Sequence, residues 1–174
     1  MKPKIKKKAL PHFWKKESPN LKTNRGMGKL IIRQAHYDDL EAIARLDALV
    51  FDQSAWSFNS FVNELQLHFS KLLVAELDAT FAGFALAWYI ADEIQLMRIA
   101  VNPVFQRNKI GSALIHNITY YAQNQNKMVL EVANNNTQAI AFYTSLGFYR
   151  VGVRKNYYHL NSAILMEKII YHED

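Results

Sequence analysis

The chain is 174 residues long and half hydrophobic, with 21 Lys and Arg, 15 Asp and Glu and no cysteine. That size and apolar content fit one globular domain with a substantial core. The missing cysteine excludes disulfides, thiolate metal sites and a cysteine acyl-enzyme, and fits a reducing, cytoplasmic setting.

The charge of +6 is uneven, because residues 1–29 hold ten basic residues and one acid, a charge of +9 that leaves −3 for residues 30–174. Like-charge runs are usually solvated and disordered, which is the expectation here; the alternative is weak contact with polyanions such as RNA through phosphate contacts indifferent to base sequence. It has no apolar secretory segment, and it favours Lys over the Arg and Ser of organelle transit peptides. Met27 stands just before the first strand, so the arm reads as an upstream extension of a domain spanning 30–174. Within that domain the longest apolar stretch, FAGFALAWYI at 81–90, falls short of the roughly 18 residues of a membrane span, and no membrane contact is expected.

LIIRQA (30–35) reads as the first strand, and Asp38 is the expected N-cap of a helix that places Leu40, Ile43, Leu46 and Val50 on one face. A second helix follows Ser57. KLLVAEL (71–77), FAGFALAWYI and EIQLMRIAV (93–101) are rich in branched and aromatic residues and predict three strands in an antiparallel meander, the last ended by Pro103. Ile110, Leu114, Ile118 and Tyr121 recur at helical spacing, so a third helix starts near Lys109. KMVLEVA (127–133) is a further strand, NNNTQAIAFYTSLG carries a helix ending at Gly147, and FYRVGVR and SAILMEKII supply the last two strands. The expectation is an α/β fold: a mixed, mostly antiparallel sheet of about seven strands with about four helices.

Within IAVNPVFQRNKIGSALI, a strand, a short turn and a helix start point free backbone N–H groups and a positive helix end at one spot, which suits a pyrophosphate. Arg107 and Lys109 add cations, and Gly111 and Ser112 let a ligand approach the first turn. An ordinary strand-to-helix connection with surface charges fits these features equally well. The glycines at 26, 28, 83, 111, 147 and 152 form no dinucleotide fingerprint, P-loop or nucleophile elbow, and the six histidines are scattered, so no metal site is expected.

These residues resemble the GNAT acetyltransferases, and within them the enzymes that acetylate a ribosomal protein N-terminus, over roughly residues 30–170. The acetyl-CoA motif Q/R-x-x-G-x-G/A aligns with Gln106, Arg107, Asn108, Lys109, Ile110 and Gly111, with lysine at its first glycine. Ile99-Ala100-Val101 matches the preceding strand end. Leu130-Glu131-Val132, then Asn136, Ala139, Ile140, Tyr143, Gly147 and Phe148, match LEV and N-x-x-A-I-x-x-Y-x-x-x-G-F. Trp56, Ser57, Phe61 and Glu64 match W-S-x-x-x-F-x-x-E, and Arg154-Lys155-Asn156-Tyr157-Tyr158 matches R-[RK]-N-Y-Y.

The resemblance implies acetyl-CoA as cosubstrate and direct transfer to an amine, with a protein N-terminal α-amine, such as that of a ribosomal protein, as acceptor. Glu131 takes the place of the general base; its alternative is a strand-end carboxylate facing solvent or Arg98. Tyr143 takes the place of the acid that protonates the departing thiolate, against the alternative of a core tyrosine. Ile99, Ala100 and Val101 would offer backbone groups to the pantetheine and thioester, and Arg107, Asn108, Lys109, Ile110, Gly111 and Ser112 would hold the pyrophosphate. Asn136 would cap its helix and touch the pantetheine arm. Trp56, Tyr157 and Tyr158 would wall the amine site, although aromatic clusters are more often packing than recognition. A lysine, polyamine or other small-amine acceptor, and a non-catalytic CoA-binding module with an RNA-binding arm, are the competing readings.

Overall fold

The computed structural model of the protein describes residues 28–158 and 161–172. The basic arm lies outside the described residues except for Gly28 and Lys29, as do the side chains of Tyr157 and Tyr158. In chain order the elements are β1 (Leu30–Gln34), α1 (Leu40–Phe51), α2 (Phe58–Glu64), β2 (Ser70–Leu77), β3 (Thr80–Ile90), β4 (Glu93–Val101), α3 (Ile110–Tyr120), β5 (Lys127–Ala133), α4 (Thr137–Ser145), β6 (Tyr149–Tyr158) and β7 (Asn161–Ile169). The strands form one sheet in the order β1-β2-β3-β4-β5-β7-β6. Every neighbouring pair is antiparallel except β4 with β5.

Period-two alternation feeds two cores. On β2, Leu72 and Val74 pack with Leu40, Ile43 and Leu46 of α1 and Phe61 of α2, whereas Leu73 and Ala75 pack with Ile110, Leu114 and Ile118 of α3. Tyr143 of α4 and Met128, Leu130 and Val132 of β5 join the α3 side. No helix among the described residues is long and apolar enough to cross a membrane.

Two details of the first helix differ from the periodicity. A 3-10 turn at Tyr37–Asp39 precedes it, and the carboxylate of Asp39, not Asp38, accepts the His36 N–H and pairs with Arg33. Val50 is 42% exposed, and the fourth buried residue of the helix is instead Asp47, which is fully buried. Spacing cannot foresee an aspartate in a core; a buried charge persists there only with a partner.

The β4/β5 ladder is short. Its register runs from Glu93↔Lys127 to Leu96↔Leu130 and stops. The β3/β4 register shifts at the same point, passing from Arg98 opposite Leu86 to Leu96 opposite Ala87, so Met97 is an extra residue. A bulge bends its strand and sharpens the local twist, and here it turns β4 away from β5. Beyond Met97 the two strands diverge into a gap at the centre of the sheet.

Sequence periodicity also missed Lys71, which is 1% exposed on β2 with its Nζ 3.0 Å from the centroid of the Tyr121 ring. Burial pushes its ammonium down to about 7. An unfolded lysine titrates near ~10.4, so between these values the unfolded chain binds more protons and the stability of the fold rises with pH. Lys71→Met should remove that slope: denaturant midpoints at pH 7 and pH 9 should differ less in the variant than in the parent, with the larger gain from the substitution at pH 7.

Candidate active site

A cleft of about 940 Å³ opens at the β4/β5 gap and is lined by the ends of β4 and β5, the 105–112 turn, α4 and the C-terminal end of α1. Its size falls within the common range for small-molecule sites. One wall is backbone. Directly opposite residues in an antiparallel pair alternate between exchanging two N–H···O bonds and exchanging none. The Asn102 N–H donates to the Ala82 carbonyl at 2.9 Å, and with Gly83 opposite Val101 and Phe84 opposite Ala100 the alternation sets Ala100 against β3. Ile99 and Val101 therefore aim their N–H and C=O groups into the gap. On β5 the Asn134 N–H donates to the Ser162 carbonyl at 3.0 Å, and the same alternation turns the backbone groups of Ala133 toward the gap from the other side.

The turn before α3 supplies the cationic end. Arg107 and Lys109 both adopt left-handed backbone conformations, with φ of 68° and 57°. Each costs about 1 kcal/mol relative to a right-handed residue, and each is a position where glycine is the easy choice. Lys109 is the N-cap of α3 and its side chain makes no capping bond, so the first N–H groups of the helix face the cleft with the positive end of its dipole. Arg107, Lys109, Ile110, Gly111 and Ser112 all line it. Asn108 is not among the lining residues: its Nδ2 donates to the Phe105 carbonyl at 3.1 Å and props the turn from behind. Gly111 also has a packing role, since a Cβ there would lie 3.0 Å from Cζ of Phe142. Its missing side chain lets α4 close on α3.

Glu131 and Tyr143 line the same cleft. Met128, Leu130 and Val132 are buried toward α3, so Glu131 projects from the opposite face of β5. Its Oε1 lies 3.0 Å from Nη1 of Arg154, and its Oε2 is buried with no hydrogen-bond partner among the described residues. The alternative pairing with Arg98 is not observed. Tyr143 is 8% exposed and packs its ring against Phe142 and Phe148. Asn136 is the N-cap of α4, its Oδ1 accepting the Ala139 N–H at 3.0 Å, as the sequence suggested, and it also lines the cleft.

Arg98 serves the wall contributed by α1. It pairs with buried Asp47 at 3.0 Å and donates to the Ser54 carbonyl, while the Trp56 N–H donates to the other Asp47 oxygen at 2.6 Å. The guanidinium lies over the rings of Phe51 and Trp56, 4.3 and 5.0 Å from their centroids. This buried cluster clamps residues 51–56 to β4 and presents Phe51 and Ser54 to the cleft. Trp56 itself is not among the lining residues; it packs against Phe61 and Arg98. Sequence reading missed Val50, Phe51, Ser54, Phe105, Gln138, Ala141 and Phe142 as lining residues, because none stands at a defining position of a motif and only the tertiary fold brings them together.

The left-handed turn gives a direct test. Lys109→Gly should leave stability within about 1 kcal/mol, since relief of strain offsets the added chain entropy. Lys109→Val should cost about 1–2 kcal/mol, because a β-branched residue resists this conformation. Urea midpoints of the two variants check both.

Comparison with known proteins gives a consistent result. The family model described as "Acetyltransferase (GNAT) family" matches residues 31–148. The ribosomal protein bS18-alanine N-acetyltransferase of Escherichia coli K12 is 34% identical over 124 residues, covering 69% of this chain and 81% of the relative. A Bacillus subtilis protein named as a putative enzyme of the same kind is 29% identical over 143 residues, covering 79% of this chain and 94% of its own length. The crystal structure of the Escherichia coli ribosomal-protein-S18-alanine N-acetyltransferase superposes with a TM-score of 0.74 at 28% identity, covering 83% of this chain and 96% of that one. With a seven-stranded mixed sheet parted between β4 and β5 and a family match over most of its length, the chain belongs to the GNAT acetyltransferase family and is an N-acetyltransferase.

Proposed function

We propose that this enzyme transfers acetyl from acetyl-CoA directly to the N-terminal α-amine of a protein, with a ribosomal protein as acceptor and the cytoplasm as its setting. The observation that carries this reading is Glu131: a carboxylate lining the sheet gap, one oxygen buried and without a partner among the described residues, across a cleft whose other parts suit a CoA thioester. The names of the relatives support the acceptor. The basic arm at 1–29 would add contacts to polyanions such as RNA.

The free N–H groups at the start of α3, with Arg107 and Lys109, would hold the pyrophosphate, and the backbone edges of Ile99 and Val101 would hold the pantetheine. A Val101 N–H aimed at the thioester oxygen stabilises charge that grows during attack. Acetyl-CoA supplies the activated acyl group. The acceptor nitrogen forms the new C–N bond as the C–S bond breaks, Glu131 takes the proton lost by nitrogen, and Tyr143 gives a proton to the departing sulfur. An α-amine, with pKa near ~8, is deprotonated more easily than a lysine near ~10.4, so a single carboxylate suffices as base.

Mass spectrometry of peptides incubated with acetyl-CoA tests the acceptor: peptides starting with Ala or Ser should gain one acetyl group at the α-amine and none at internal lysines. Glu131→Gln should lower kcat by about 10²- to 10⁴-fold with acetyl-CoA binding retained. Acetylation confined to lysines or polyamines, or full turnover in that variant, would contradict the reading.

A further inference from the structure

Arg154 has no part in the reaction as described so far, yet it holds one oxygen of Glu131. The two residues are not on neighbouring strands. Arg154 lies on β6 and Glu131 on β5, with β7 between them, so their backbones are about 10 Å apart at the usual strand spacing. The crossing is made over Ala163. That residue stands directly opposite Arg154 on one side and Ala133 on the other, and it is fully buried. Directly opposite residues project to the same face, and Glu131, two residues before Ala133, shares it. Two small side chains in this row leave room beside them for the arginine, whose Nη1 lies 3.0 Å from Oε1 of Glu131.

From this geometry we propose that Arg154 is a positioning residue for Glu131. By occupying Oε1 it fixes the carboxylate rotamer so that Oε2, buried and without a partner among the described residues, is the oxygen presented to the acceptor. Its charge also offsets that of the carboxylate. An unpaired carboxylate in a cleft would hold the acceptor as an unreactive ammonium ion pair; with Arg154 in place that grip on the ground state is weaker, and the carboxylate is left to take the proton in the transition state. An ordinary surface ion pair would contribute little. This one has a distinct consequence because one partner is set beside the reacting atoms, where a misplacement of about 1 Å can cost about 10²-fold.

The proposal rests on Glu131 being the base, and the test separates the two. Steady-state kinetics of Arg154→Ala, Arg154→Gln and Arg154→Lys are measured in the parent and in Glu131→Gln, with acetyl-CoA affinity and thermal unfolding measured alongside. Arg154→Ala should lower kcat by about 10- to 100-fold without raising acceptor KM or weakening acetyl-CoA binding. Arg154→Lys should recover part of the loss, and in the Glu131→Gln background the same substitutions should cost almost nothing. If the alanine variant does not fold, Arg154→Gln, which keeps most of the side chain's bulk, is read by the same criteria. An unchanged kcat, or an equal loss in both backgrounds, would overturn the positioning role alone. Full turnover in Glu131→Gln would overturn the base assignment and this role with it.

Discussion

The parting of β4 from β5 is the constraint on which the rest of this molecule depends. A parallel pair inside a sheet normally continues until one strand ends, because an unpaired N–H or C=O in a buried place is costly. Here pairing stops at Leu96 and Leu130, where the extra residue Met97 bends β4. Ile99, Val101 and Ala133 are left with backbone groups facing each other across a gap too wide to close. In a protein without a ligand to receive, such a defect would be selected against as an edge. Under the proposed function it would be the binding site, where a linear amide-containing arm would complete the interrupted ladder.

Other features make sense as consequences of that gap. The chain leaving β4 passes through a 3-10 turn at Pro103–Phe105 and enters α3 at Ile110, so the positive end of the helix faces the end of the gap, and Arg107 and Lys109 are held in left-handed conformations on the way. Across the gap β5 delivers Glu131, and in the proposed reaction the charges would divide accordingly: cations and helix N–H groups toward the phosphates, a carboxylate toward the amine. The buried Asp47–Arg98 pair anchors the third wall. It is costly to desolvate, but it also bonds the Ser54 carbonyl and the Trp56 N–H, which fixes residues 51–56 against β4.

Much of this was legible in the sequence because it depends on local rules. Strand and helix periods and turn residues place the eleven described strands and α-helices in their order, Asn136 announces its helix as a cap, and Ile99 to Val101, Glu131 and Tyr143 converge on one cleft. What remained illegible is non-local or counter to propensity. The first motif glycine is replaced by Lys109, yet the backbone keeps the glycine's conformation. Asn108, placed near the pyrophosphate by the resemblance, donates to the Phe105 carbonyl within the turn, a bond that no motif announces. Asp47 interrupts an apolar stripe, which only its distant partner Arg98 explains. The link between Glu131 and Arg154 requires the order β5-β7-β6, which no reading along the chain supplies.

The central claim is that the backbone edges exposed by the β4/β5 gap receive the cosubstrate, and amide hydrogen exchange with and without acetyl-CoA tests it most directly. The account predicts that the Val101 and Ile99 amides exchange readily in the free protein and become protected on binding, together with the first amides of α3. The Ala100 amide, bonded to β3, should be protected in both states. Saturating acetyl-CoA that left the Ile99 and Val101 amides exchanging at their free rates would contradict it.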